Sequence, residues 1–351
     1  MSADPPRDAR VTIRDVARES GVALSTVSNA LQGKPHVSGE TRRLVQEVAE
    51  RLGYRPSTVA RALRMQRSFS IGVLMADIAN PTFPEILRGI EDTLSADQCA
   101  LFLSNTDGSV ERQAQYMRHM LDRQVDGFVM VSQHMDEAEV QALLEGAPPV
   151  VLVHRRSRLR EMDYVGLDNA DSMRQAVCYL AGLGHHRIGF IRGPDVSTTA
   201  EERRLGFIAA TAEYGQPFNA AWIVPGGYSY EAGLTAGRRL LDLMERPSAV
   251  IASNDLAALG MIAAATERGI AIPGGLSVVG IDDIYLAALP PIGLTTIRQP
   301  KRQVGAAAAA LLLERIQHPG ASWRPQQRIF QTELIIRNTT AAAPTPAAAA
   351  G

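Results

Sequence analysis

Cysteine is almost missing from this chain of 351 residues. Cys99 and Cys178 lie far apart with no partner at ligand spacing, which excludes a disulfide framework or a cysteine-based zinc site and fits buried thiols in a reducing compartment. Long apolar runs are missing too: nothing approaches the roughly 20 consecutive apolar residues of a membrane-spanning helix. The opening MSADPPRDAR carries acids and prolines where a secretory signal would be apolar. A cytoplasmic protein with no membrane partner is expected. The marks of catalysis are absent as well. There is no G-x-S-x-G elbow, and Ser104 and Asp107 sit in no nucleophile motif. GLGHHRIG lacks dinucleotide-binding spacing and precedes a strand instead of following one. His185 and His186, adjacent on an extended segment, point to opposite faces and have no third ligand nearby. These gaps predict no metal, no cofactor and no enzyme.

What is present is an asymmetry. Composition is that of an ordinary globular protein, with 46% hydrophobic and 21% charged residues and a net charge of -1. Residues 1–67, however, hold 12 Lys+Arg against 7 Asp+Glu, net +5, leaving the rest of the chain at -6. A basic head on an acidic body points to a polyanion-binding head, although a solvated basic face gives the same count. The length exceeds one ordinary core, so a small module and a larger one are expected.

In the head, Thr12 and Asp15 have the spacing of a helix cap, followed by the apolar stripe Ile13, Val16 and Ala17. Gly21 permits a tight turn, and a second stripe, Val22, Val27, Ala30 and Leu31, follows at once. Two short helices joined through a glycine turn form a helix-turn-helix. A third helix is expected in VSGETRRLVQEVAERLGY, with Ser38 as cap, Leu44, Val45, Val48 and Leu52 as core stripe and Gly53 as stop. In such a unit the start of the second helix reaches base edges, here Leu24, Ser25, Thr26, Ser28 and Asn29, while flanking groups such as Thr12 meet phosphates. Asn can bond adenine bidentately, Ser can donate or accept, and an apolar side chain can touch a thymine methyl. Solvated polar positions on a small bundle remain the alternative.

From Ser70 the texture changes to short apolar runs, SIGVLMA, CALFLSN, DGFVMVS, PVVLVH, RIGFIRG, AAWIVPG, SAVIAS and LSVVGID, separated by helical stretches. This alternation predicts an α/β body of two doubly wound parallel-sheet lobes. Ligands of such folds bind beyond the carboxyl ends of strands, where Asp77, Asn80, Asn105, Asp107, Asn254, Asp255, Asp282 and Asp283 stand. Helix capping is the competing reading for each of them.

The stretches VTIRDVARESGVALSTVSNAL, VSGETRRLVQEVAERLGYRPS and VARALR give the chain its resemblance to the lactose- and galactose-repressor family of bacterial transcription regulators. The resemblance implies an all-α helix-turn-helix head, with Leu24, Ser25 and Asn29 as base readers. It departs at Asn29, where many members have Arg, and at Ala23, where a Ser commonly caps the helix. It continues from SIGVLMADIANPTFPEILRGIE to LTTIRQP, where the body resembles a periplasmic sugar-binding module that senses an effector. Phe83 and Tyr228 match positions that pack on the ligand ring, Arg203 matches the pocket arginine, and Asn254 and Asp282 match polar contacts. Gln299 lies near the lobe crossover. Arg155 and Arg156 replace a more usual acidic residue, and read as a solvated pair or a contact to an anionic effector.

Between head and body, Pro56 and Ser57 can start a short helix with Val59, Ala60 and Leu63 on one side and Arg61, Arg64 and Arg67 among them. It resembles the family's hinge helix, which implies Leu63 as a minor-groove wedge, Ala60 at the close approach of two copies, and Arg61 and Arg64 on phosphates or groove edges. Alternatively Leu63 packs on the body. The expected organisation is a disordered 1–10, a DNA-binding 11–56, a hinge 57–68, an effector and dimerisation domain 69–338 and a disordered tail 339–351. Lobe 1 takes about 69–168 and 300–326, and lobe 2 about 169–297 and 327–338. Together these features predict a nucleoid-associated homodimeric repressor. It would bind roughly palindromic double-stranded operator DNA with an affinity set by a small-molecule effector, a sugar or sugar derivative. A transport module would need a secretory signal, and a sugar-modifying enzyme a perturbed acid-base pair.

Overall fold

The computed structural model describes residues 11–31, 33–54, 65, 67–320 and 323–344. The expected disordered start and the hinge positions Ala60, Arg61, Leu63 and Arg64 lie outside these residues. The chain divides into two units, Met1–Ser68 and Phe69–Gly351.

In the first unit, helices α1 (Ile13–Ser20), α2 (Leu24–Leu31) and α3 (Gly39–Arg51) enclose a core of Val16, Val27, Ala30, Val37, Val45, Val48 and Ala49. The Asp15 carboxylate accepts from the Thr12 backbone N–H at 2.9 Å and from its hydroxyl at 2.7 Å. These bonds hold the Asp15 pKa below the usual range. Gly21, at φ 64°, takes the left-handed conformation that ends α1 and turns the chain into α2. The Ser38 hydroxyl accepts from the Thr41 N–H and starts α3. One core assignment is corrected: Leu44 is 43% exposed and Ala49 is buried, because the buried face of α3 runs through 45, 48 and 49.

The second unit contains two six-stranded sheets. Strands β1 (Ser70–Met75), β2 (Ala100–Asn105), β3 (Gly127–Val131), β4 (Val150–Val153) and β5 (Asp163–Leu167) belong to the first. Strands β6 (Ile188–Arg192), β7 (Ile223–Pro225), β8 (Ala249–Ala252), β9 (Ser277–Asp282) and β10 (Thr295–Arg298) belong to the second. The chain then completes each sheet with one more strand, β11 (Gln327–Phe330) beside β5 and β12 (Glu333–Ile335) beside β10. The orders are β11-β5-β4-β3-β1-β2 and β12-β10-β9-β8-β6-β7, parallel except for β12. Both are doubly wound, with a switch of winding direction between β1 and β3 and between β6 and β8. Buried side chains fill both faces of each sheet, which is why the central strands read as near-continuous apolar runs.

The chain passes between lobes three times, after β5, after β10 and after β11. The last crossing corrects the expected boundary. Residues 327–330 pair with 164–167 in the first sheet, so they belong to lobe 1 and the change comes at 331–332. Residues 339–343, expected in a disordered tail, are also reassigned. Thr339 is buried and its hydroxyl joins the Thr295 N–H to the Val278 carbonyl; the Ala343 N–H donates to the Leu183 carbonyl.

Candidate reading helix and effector cleft

On α2, Leu24 is 44% exposed and Ser25 is exposed, while Thr26, Ser28 and Asn29 are half-buried. Val27 and Ala30, on the opposite face, hold the helix to its neighbours. The first turn of α2 thus presents a solvent-facing leucine and serine, an arrangement suited to base-edge contact. The Ala23 carbonyl accepts from the Val27 N–H, so Ala23 occupies the cap position with no side-chain oxygen to offer.

In the second unit, a cavity of about 290 Å³ lies where the carboxyl ends of both sheets meet. Asp77, Phe83, Arg203, Tyr228, Asn254, Asp282 and Gln299 all line it. Of the other strand-end residues considered, Asn80 also lines it. Asn105 and Asp107 bond to each other, Asp255 is buried beneath, and Asp283 pairs with Arg298 and Arg337.

Each lining group has a defined local role. Phe83 stands at the start of helix α4 (Thr82–Ala96), just beyond β1, with Asp77 exposed at the rim. Arg203 lies on the later helix Thr198–Glu213; it donates Nε to Asn169 Oδ1 at 3.0 Å and Nη1 to the Ser253 carbonyl at 2.6 Å. Tyr228 sits beyond β7 with its hydroxyl 3.2 Å from Ser197 Oγ. Asn254 has two structural duties, accepting from the Ala257 N–H at 2.9 Å as a helix cap and donating to the Tyr228 carbonyl at 2.9 Å. Capping and cavity lining, alternatives in the sequence, coexist in this residue.

Asp282 closes the lobes together. Its Oδ2 accepts from the Thr82 hydroxyl of the first lobe at 2.7 Å, its Oδ1 accepts from Gln299 Nε2, and the Lys301 ammonium donates to its carbonyl at 2.7 Å. Burial raises the Asp282 pKa, opposed by Arg203, Thr82 and Lys301. A second bridge joins the Thr199 hydroxyl to the His154 carbonyl at 2.6 Å.

Sequence reasoning overlooked Thr82, Ser132, His154, Ser197 and Thr199 as lining residues. His154 directly follows β4, and the strand-end rule applied to VVLVHR would have found it. Burial, with the Arg203 charge, lowers its pKa to about 3, so the imidazole is neutral. Its Nε2 and Gln299 Oε1 are buried without a hydrogen-bond partner. Ser132, His154 and Asp282 are three of the eight described non-glycine residues at positive φ, at 56°, 67° and 124°. Backbone strain therefore gathers at this cavity, as at ligand sites generally. The arginine pair is split. Arg156 pairs with Glu202 at 3.1 Å and lies over the Tyr164 ring, whereas Arg155 lines the cavity.

Elsewhere the His185 ring nitrogens face the Ser248 and Ser277 hydroxyls at 2.9 and 3.0 Å, a satisfied buried histidine. No group of His, Cys, Asp or Glu that could hold a metal occurs among the described residues, and none of their helices is long and apolar enough to cross a membrane.

Comparison with known proteins agrees with both halves. Residues 12–57 match the family model of bacterial regulatory proteins, lacI family, and residues 177–340 match a periplasmic binding protein-like domain. Catabolite control protein A of Priestia megaterium is 36% identical over 303 residues, 86% of this chain and 91% of that protein. A structure of the lac repressor dimer bound to operator and the anti-inducer ONPF matches with a TM-score of 0.83 at 27% identity, covering 95% of this chain and 100% of that one. A LacI family transcriptional regulator from Enterococcus faecium with bound ribose matches with a TM-score of 0.69 at 30% identity, covering 78% and 99%. The helix-turn-helix, the two-lobed body and a relative this similar over nearly its whole length lead to one conclusion: the chain belongs to the lacI family of bacterial regulatory proteins, DNA-binding transcription regulators controlled by small-molecule effectors, and is not an enzyme.

Proposed function

We propose that this regulator is a cytoplasmic, nucleoid-associated repressor that binds an approximately palindromic operator as a homodimer and responds to a sugar or sugar derivative in the cleft. In this reading residues 11–56 bind DNA, 57–68 form the hinge and the following body senses the effector. Thr12, Leu24, Ser25, Thr26, Ser28 and Asn29 meet the major groove and its phosphates, and Ala60, Arg61, Leu63 and Arg64 meet the minor groove. Asp77, Phe83, Arg203, Tyr228, Asn254, Asp282 and Gln299 form the effector site.

The observation that carries the effector assignment is the character of the cavity. An aromatic ring, Phe83, shares it with Tyr228 and with two buried polar atoms lacking protein partners, His154 Nε2 and Gln299 Oε1. Unsatisfied buried polar atoms cost about 1 to 3 kcal/mol each, so groups kept in this state are suited to a ligand that completes them. A sugar offers an apolar C–H face to the rings and hydroxyls that both donate and accept to the polar atoms. The ribose in the Enterococcus faecium regulator supports this class of ligand.

Selection of genomic fragments by the full-length chain tests the reading. One preferred, near-palindromic fragment is expected, with an affinity that changes when cell metabolites are added. Equal affinity for all fragments, with and without metabolites, would overturn it.

A further inference from the structure

The geometry points to an anionic effector, a monosaccharide-sized sugar derivative bearing one carboxylate or phosphate, with Arg155 as its counter-ion. This rests on the cleft being the effector site, and it goes further by fixing the charge of the ligand.

Arg155 follows His154 just beyond β4, where the backbone turns through φ 67° at His154. That turn brings the arginine to the cavity wall. Its Nε and Nη1 are both buried and have no hydrogen-bond partner, and no acid pairs with it among the described residues. It is the one described arginine with two such nitrogens. The other arginines of the body with a buried, unpartnered nitrogen, Arg246 and Arg315, have one such nitrogen each and do not line the cavity. Arg315 pairs with Asp163, Arg337 with Asp283, Arg156 with Glu202, and Arg203 donates to Asn169 and the Ser253 carbonyl. Burial acts against the Arg155 cation, the Tyr228 phenol offsets this in part, and Arg158 adds a like charge.

The two acids of the cavity do not answer this charge. Both carboxylate oxygens of Asp282 are already engaged by Thr82 and Gln299, and Asp77 is at the exposed rim. Arg203 adds a second guanidinium to the cavity lining. A neutral polyol would leave the Arg155 N–H groups facing hydroxyls already shared with other acceptors. An oxyanion would take two of them in the parallel, charge-assisted geometry that guanidinium favours. The neutral imidazole of His154 supplies a nitrogen beside it without adding charge. The volume, about 290 Å³, is at the lower end of ligand pockets and suits one sugar ring or open-chain acid instead of an oligosaccharide.

The test uses the full-length protein and matched pairs of probes in thermal-shift and calorimetric titrations: glucose with gluconate, glucuronate and glucose 6-phosphate, and ribose with ribonate and ribose 5-phosphate. At least one acid is expected to bind about tenfold or more tightly than its neutral parent, a preference that Arg155→Gln removes and Arg155→Lys partly keeps. Gluconate-type against phosphate hits distinguish the two sources of negative charge. Neutral sugars binding as tightly as their acids would overturn the charge assignment and leave the sugar-effector reading standing. No binding by any probe, neutral or acidic, would overturn that reading and this one with it. A ligand-independent measurement accompanies the titrations. Unliganded Arg155→Gln should melt no lower than the parent, since it loses an unpaired buried cation; a clear drop would assign Arg155 a structural partner and refute the proposal.

Discussion

Asp255 shows how much a single buried carboxyl can shape the pH response of the body. It is fully buried beside Asn254, with Oδ1 accepting from the Thr296 hydroxyl at 2.5 Å and Oδ2 from the Ile284 N–H at 2.8 Å. Gly280 makes room for it, since a Cβ there would fall 2.2 Å from Oδ1. Burial pushes its pKa well above the carboxylate range, and the neighbouring Asp282 pushes the same way. Below the unfolded-state value of about 3.9 both states are protonated and the group is neutral toward folding. Above it the unfolded chain releases the proton and the folded chain retains it, so folding is increasingly opposed as pH rises toward the folded-state value. Asp255→Asn removes that opposition. Relative to the parent, its urea midpoint should rise progressively from pH 4 to pH 7, whatever constant offset the substitution adds. A difference that does not vary with pH would mean that Asp255 ionises normally. Residues held low, such as Asp15 by Thr12, contribute equally to both proteins and cancel from the comparison.

At the scale of elements, the lobes depend on two close helix crossings made by glycine. Helix α4 crosses the long helix Lys301–Gln317 where a Cβ on Gly89 would lie 2.0 Å from the Arg302 carbonyl oxygen and one on Gly305 2.0 Å from that of Ile86. The second lobe repeats the device with Gly233 and Gly260, whose added Cβ atoms would meet the Ala257 and Tyr230 carbonyl oxygens at 2.2 Å. Gly→Ala inside an exposed helix stabilises by about 1 kcal/mol. Here the methyl group meets backbone that cannot give way, and overpacking of this kind costs about 1 to 3 kcal/mol. Gly305→Ala should therefore lower the urea midpoint of the full chain; an unchanged or raised midpoint would show that the crossing can open without cost. The same scale explains what the sequence revealed. Eight strands are legible as apolar runs, the central ones because buried parallel strands are apolar throughout, as in SIGVLM and GFVMV. β5, β10, β11 and β12 are not: DYVGL and TTIR are short and mix polar with apolar residues, and QRIF and ELI are short, half-exposed edge strands with polar residues facing water. β11 was consequently given to the wrong lobe. In the site, strand-end position identified Asp77, Asn80, Asn254 and Asp282, but no pattern in one dimension shows which charges lack partners. Arg155 and Arg156 are adjacent in sequence, and only the fold separates the paired one from the unpaired one.

At the scale of the whole molecule, function requires that the state of the cleft reach the DNA-binding head. The lobes are joined by three chain crossings and by bonds through the cleft itself, Thr82 to Asp282 and Thr199 to the His154 carbonyl. A ligand that competes for Asp282 or braces His154 alters how the lobes are held, and β1, which leads directly from the hinge segment, belongs to one of them. In the proposed reading, residues 57–68 convert this change into DNA affinity, since a helix of fewer than about 12 residues is marginal without a partner. Leu63, placed as a minor-groove wedge, would repay a few kcal/mol of base unstacking through the bent DNA it permits. Leu63→Ala should then lower operator affinity about tenfold or more, roughly 1.4 kcal/mol, in a fluorescence titration of labelled operator. Effector affinity of the DNA-free protein should stay unchanged, because the cleft is intact. Linkage adds a quantitative check, since the factor by which effector changes operator affinity must equal the factor by which operator changes effector affinity. Both factors should shrink together in the variant if the wedge belongs to the coupled state. Operator affinity equal to that of the parent, accompanied by a less stable body, would instead make Leu63 a packing residue of the linker.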